Sequence, residues 1–127
     1  MSTIQKELMY TKEHEWARQD GDDWVVGITD YAQGELGDVV FVELPEAGKA
    51  VSVGESFGTV EAVKTVSDLY SPLAGTIKAV NEAVKNDPTV VNRDPYGEGW
   101  LVRIHAAAAP LGLLDAAAYA SLIGQTL

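Results

Sequence analysis

From Gly58 to Tyr70 the chain runs as two short β-leaning stretches, Gly58–Val63 and Thr65–Tyr70, with a single lysine, Lys64, between them. In the first stretch Val60 and Ala62 fall on one side of an extended strand and Glu61 and Val63 on the other, the period-2 pattern of a half-buried strand. The second stretch stops at Ser71-Pro72. Together they predict a β-hairpin. No Asn-Gly or Gly-Gly stands between them, which disfavours a primed two-residue turn. A type I turn accepts these residues and puts either Val63-Lys64 or Lys64-Thr65 at the tip. Such a turn holds one primary amine out on a stiff support. On spacing alone, an ordinary exposed turn lysine is the better reading.

The flanking chain is patterned mainly for strands. Leu8–Tyr10 and Lys12–Arg18 read as extended, Gln19–Asp23 as a polar turn, and Trp24–Ile28 as a further strand. Thr29–Gly37 predicts a short helix near 29–36, with Thr29 as N-cap, Asp30 suited to the first-turn dipole and Gly37 at the left-handed C-terminal position. Asp38–Leu44 is a nearly continuous β-branched and apolar strand that Pro45 ends. Val51–Val53 leads into the hairpin, and Gly75–Val80 follows it as a strand. Asn81–Pro88 reads as a polar connection, Val90–Gly97 as turns, and Gly99–Ile104 as the last strand. Gly97-Glu98-Gly99 lacks the third glycine and the following helix of a nucleotide fingerprint, so it reads as a tight turn that lets Trp100 enter the core. The tail, about 110–124, predicts a helix that starts at Pro110, caps or restarts at Asp115 and stops at Gly124. Tyr119, Leu122 and Ile123 share one face of it, the face expected to pack on the sheets. A loose strand-loop-strand symmetry about Lys64 is compatible with two interleaved half-sandwiches.

Length and charge narrow the function classes. The 127 residues suit one domain, 1–127, with a core large enough to need no staples. A net charge of −10 argues against nucleic-acid or anionic-membrane binding. With no cysteine, disulfides, thiolate metal sites and cysteine nucleophiles are excluded, so any thiol chemistry must come from an attached group. The N-terminal residues carry neither an apolar signal core nor an Arg-rich stretch, and no apolar run reaches membrane length, which leads to the expectation of a cytoplasmic, soluble monomer. His14, Glu15 and His105 raise the possibility of a hydrolase or transferase, but no nucleophile–base pair stands at readable spacing. Structural or surface roles are the simpler reading of both histidines.

Three stretches carry a resemblance. Val60-Glu61-Ala62-Val63-Lys64, followed by Ser67-Asp68 and Ser71-Pro72-Leu73-Ala74-Gly75, closely resembles the lipoyl-attachment hairpin of the glycine cleavage system H-protein family. The run from Gly27 to Pro45 resembles a second, longer signature of that family, and His14-Glu15-Trp16 matches a third. Two related carriers fit less well. Lipoyl domains of 2-oxoacid dehydrogenase complexes usually read Asp-Lys-Ala at the modified lysine, where this chain has Val63-Lys64-Thr65; biotin carriers usually read Met-Lys-Met, and methionine occurs here only at Met1 and Met9.

The resemblance implies a mainly β fold, a lipoyl-domain-like flattened barrel or sandwich of two interleaved antiparallel sheets, with the helix near 29–36 and a C-terminal helix. It implies lipoate in amide linkage on Lys64, with Glu61, Val63 and Thr65 as the hairpin residues read by the modifying enzyme, a lipoate ligase or an octanoyl or lipoyl transferase. The implied role is that of a carrier and not an enzyme. Lipoyl-Lys64 would accept an aminomethyl group from the pyridoxal-phosphate glycine decarboxylase and present it to the tetrahydrofolate-dependent aminomethyltransferase. The FAD-containing dihydrolipoamide dehydrogenase would then reoxidise it. A relay of lipoyl groups to other lipoate-dependent proteins would leave the same marks. Glu15 becomes a candidate for the pocket that receives the arm, and Glu35 a second, at a position where such proteins often carry histidine.

Overall fold

The computed structural model describes residues 2–108, 110 and 112–126. Among these residues nine strands form two antiparallel sheets. The larger contains β1 (Met9–Tyr10), β2 (Glu15–Asp20), β3 (Asp23–Ile28), β5 (Ala50–Val51), β8 (Gly75–Val80) and β9 (Val102–Ala106), in the order β1-β2-β3-β9-β8-β5. The smaller is β4 (Val39–Glu43), β6 (Ser56–Ala62) and β7 (Val66–Tyr70), in the order β4-β6-β7. The chain alternates between them, so the sheets are interleaved as expected. No closure into a barrel is needed to bury the core.

Alternation dictates which residues enter that core. Ala17, Val26 and Ile28 of the larger sheet meet Val39, Val42, Val60 and Leu69 of the smaller, with Leu73, Ile77 and Ile104 in the same cluster. Each fully buried Val, Leu or Ile contributes roughly 1.5–3 kcal/mol relative to leaving it exposed. Along β6 the burial follows the expected phase: Val60 and Ala62 are buried, Glu61 and Val63 exposed. A second cluster lies outside the larger sheet and gathers Leu8, Tyr10, Trp16, Val25, Tyr96 and Tyr119. Within it Trp16 donates its indole N–H to the Pro95 carbonyl at 2.9 Å. The indole lies directly over Gly27, where any side chain would run into the ring.

Among the described residues there are also four helices: α1 (Asp30–Leu36), α2 (Glu82–Asn86), α3 (Val90–Arg93) and α4 (Ala116–Leu122). The Thr29 side chain accepts from the Ala32 N–H, as an N-cap should, and Gly37 ends α1 with φ +77°. Several expectations need correcting. α2 and α3 replace the polar connection and the turns. Asn81 caps α2 by accepting from the Ala83 N–H, and it also donates to the carbonyls of Glu98 and Trp100. The last strand lies two to three residues later than expected, because the chain at 95–99 is still turning. Trp100 is half-buried against the second cluster and does not enter the main core. The tail helix starts at Ala116, where Asp115 caps the Ala118 N–H, and not at Pro110. Leu111, part of the expected tail helix, lies outside the described residues. The buried face of α4 is Ala116, Tyr119 and Ala120, with Ile123 partly covered, whereas Leu122 is exposed.

Candidate functional site

The hairpin tip forms where β6 and β7 run out of ladder. Glu61 pairs with Val66, and the Ala62 N–H donates to the Thr65 carbonyl at 2.8 Å, leaving Val63 and Lys64 as the loop. Of the two tips the sequence allows, the structure takes Val63-Lys64. Neither residue has positive φ, so the turn is not of a primed type. The Val63 N–H donates to the Asp38 carbonyl at 3.2 Å, which ties the tip to the entry of β4. Lys64 is exposed and forms no ion pair or side-chain hydrogen bond among the described residues. Its amine is therefore free to react. Val63, Thr65 and Glu61 surround it and are exposed too.

A cleft of about 290 Å³ opens beside the same hairpin. Val60, Ser67, Asp68 and Leu69 line one wall, Tyr31, Ala32, Glu35 and Leu36 of α1 another, and Glu13, His14 and Glu15 close it. Glu15 and Glu35, far apart in sequence, thus face one cavity. Lys64 does not line it, but its hairpin does.

Glu15 is 2% exposed, and both its oxygens are engaged. Oε1 accepts from the Thr11 hydroxyl at 2.7 Å, and Oε2 accepts from the Tyr70 backbone N–H at 3.3 Å. Burial outweighs those hydrogen bonds and pushes its carboxyl up to about 7. His14 holds φ +70°, a left-handed conformation that is uncommon for a side chain of this size. The strained link lets His14 N–H reach the Thr11 carbonyl at 3.1 Å while Thr29 N–H reaches the His14 carbonyl at 3.0 Å. Its ring lies 4.9 Å from Tyr31, with Nδ1 2.8 Å from the Tyr119 hydroxyl. Desolvation lowers the affinity of this imidazole for a proton. His105 stands apart, its Nδ1 3.1 Å from Asp23 Oδ1 on the larger sheet.

Sequence reasoning missed several members of the site. Tyr31 and Asp68 line the cleft, and Thr11 and Tyr70 hold Glu15. Asn92 of α3 donates to the Gly37 carbonyl and to Gln33 Oε1, and accepts from the Val39 N–H, so it joins α1 to β4. Tyr31 falls at helical spacing from Glu35, one turn apart on α1, which was a usable signal. The others depend on contacts that only the fold creates.

The model of the glycine cleavage H-protein family matches residues 8–125. The chain belongs to that family. It is 59% identical to a glycine cleavage system H protein of Herpetosiphon aurantiacus over 125 residues, covering 98% of this chain and 97% of the relative. A relative of the same description from Rubrobacter xylanophilus is 58% identical over 110 residues, 87% of each chain. The crystal structure of a glycine cleavage system H protein from Mycobacterium marinum superposes with a TM-score of 0.90 at 46% identity, covering 95% of this chain and 99% of that one. Membership in the H-protein family gives the chain a role in the glycine cleavage system.

Proposed function

We propose that this chain is the lipoyl-carrying shuttle of the glycine cleavage system, acting as a cytoplasmic cosubstrate and not as an enzyme. The observation that carries the reading is Lys64: one unpaired, solvent-exposed amine at the tip of a hairpin whose flank forms a carboxylate-lined cleft. Lipoate in amide linkage there supplies the dithiolane that takes up an aminomethyl group at glycine decarboxylase, yields it at the tetrahydrofolate-dependent aminomethyltransferase, and is reoxidised by dihydrolipoamide dehydrogenase. The chain's own residues do the rest. The hairpin presents the amine to a lipoate ligase or an octanoyl or lipoyl transferase, with Glu61, Val63 and Thr65 as the nearest recognition features. Tethering at Lys64 holds the reactive group at roughly millimolar effective concentration toward any docked partner. Glu35, exposed at the rim of the cleft, offers a carboxyl suited to receive a protonated amine, and a cation held there would favour ionisation of the buried Glu15 carboxyl behind it.

Intact-mass measurement of natively expressed protein tests this reading. Wild type is expected to gain one lipoyl group, and Lys64→Arg none, because arginine keeps the charge but forms no such amide. The substitution lies at an exposed tip and should change stability by no more than about 0.5 kcal/mol. Carrier activity retained in Lys64→Arg would defeat the proposal.

A further inference from the structure

The carrier reading leaves one surface unexplained. Six large hydrophobic side chains stand exposed among the described residues, and four of them, Val40, Phe41, Val63 and Val66, gather at the lysine end of the smaller sheet. Scatter would need no explanation; clustering does. Phe41 pairs with Glu61, and Glu61 with Val66, so the three side chains share one face across β4, β6 and β7. Val60, the neighbour of Glu61, points the other way and lines the cleft. The apolar stripe and the cleft wall formed by Val60 and Leu69 therefore lie on opposite faces of the hairpin.

The geometry points to this stripe as the docking face for the enzyme that acylates Lys64, an adenylate-forming ligase; the inference rests on the carrier reading. Two observations select that occupant. Val63 and Val66 lie within two residues of the amine, and acylation alone requires a partner's atoms at Nζ itself. Enzymes that meet only the far end of a finished arm need not touch its root. The strands β4, β6 and β7 contain no lysine, arginine or histidine, while Glu43 and Glu61 project on the stripe's face. A ligase that holds an anionic acyl adenylate must carry cations around that phosphate, and an acidic border with an apolar centre complements such a surface. In the step served, the neutral Nζ attacks the acyl carbonyl, the amide C–N bond forms, and the acyl–phosphate bond breaks. AMP departs with the bonding electrons, and the proton lost by nitrogen passes to solvent.

Phe41→Ser with Val66→Ser tests the face, using a purified lipoate ligase with lipoate, ATP and Mg²⁺ and following acylation by intact mass. Both residues are half exposed or more, at 51% and 60%, so the melting temperature should stay near that of wild type. Val66→Thr, which keeps the β-branch, guards against loss of strand structure. The expected result is a fall of about ten-fold in acylation rate at low carrier concentration, recovered as carrier concentration rises, with raised salt slowing wild type. Once fully lipoylated by long incubation and reduced with a phosphine, the variant should be reoxidised by dihydrolipoamide dehydrogenase and NAD⁺ at the wild-type rate. Equal acylation of variant and wild type overturns the docking face alone, as does an equal loss in acylation and reoxidation. Wild type that accepts no acyl group overturns the carrier reading, and this inference with it.

Discussion

Glu15 combines a buried carboxyl with two hydrogen bonds that do not fully replace water. In the unfolded chain this group gives up its proton near pH 4.5; in the folded protein it does so near 7. Folding therefore favours the protonated form. Its contribution to stability is complete below about pH 4.5 and is lost as pH rises through 7, amounting to about 3 kcal/mol by pH 8. Glu15→Gln keeps an acceptor for the Tyr70 N–H and removes the titration. Thermal unfolding of both proteins across pH 4.5–8 should show nearly equal stability at the acid end. The variant should gain steadily toward pH 8, by about 1–3 kcal/mol. Parallel curves would mean that the carboxyl is better solvated than its burial implies. At this scale the sequence was only partly legible. Resemblance nominated Glu15, but its raised carboxyl arises from burial in the fold, which the hydrogen bonds from Thr11 and from Tyr70, 55 positions away, offset only in part. No local pattern encodes that burial.

The hairpin is the element on which function turns, and its tip is held at both sides. The Ala62 N–H bonds to Thr65 O inside the turn, and the Val63 N–H bonds to Asp38 O outside it. Lys64 therefore leaves the turn in one fixed direction. Exchanging Val63→Lys and Lys64→Val together moves the amine by one residue and turns it toward the other side of the hairpin. Ligase-catalysed acylation of this double variant should fall by about ten-fold or more, since small misplacements of a reacting atom are costly. Equal acylation would show that recognition reads exposure alone. Elements with strong local signals were legible before the fold was known: the period-2 alternation of β6, and Thr29 and Gly37 at the two ends of α1. Those that failed lacked such signals. α2 buries only Val84, and one apolar position has no period. α3 buries adjacent Val90 and Val91, a β-branched pair that reads as extended until Asn92 ties its helical turn to α1 and β4. Pro110 looked like a helix start because proline suits N1. Asp115, five residues on, accepts the actual capping bond.

Across the whole molecule the cleft is coupled to the C-terminal helix through one hydroxyl. Tyr119 of α4 stacks on Tyr10 with ring centroids 4.6 Å apart and planes 8° apart. Its Oη lies 2.8 Å from Thr29 Oγ1 and 2.8 Å from His14 Nδ1, contacts that span 90 and 105 positions of sequence. Thr29 caps α1, which carries Tyr31 and Glu35, and His14 closes the cleft beside Glu15. The tail thus sets the position of two cleft walls without touching the lysine. A sequence reading could place Tyr119 on a packing face, but only the fold shows what its oxygen meets. Tyr119→Phe keeps the ring and its stacking while leaving Thr29 and His14 short of a partner in a dry site, at a cost of about 1–3 kcal/mol. Hydrogen exchange distinguishes where that cost falls. If the hydroxyl supports the cleft, the amides of α1 should exchange faster in the variant, with the hairpin amides and the acylation of Lys64 unchanged. Faster exchange confined to α4 would make Tyr119 a tail anchor alone, and the positioning of α1 would then rest on Asn92 at its other end.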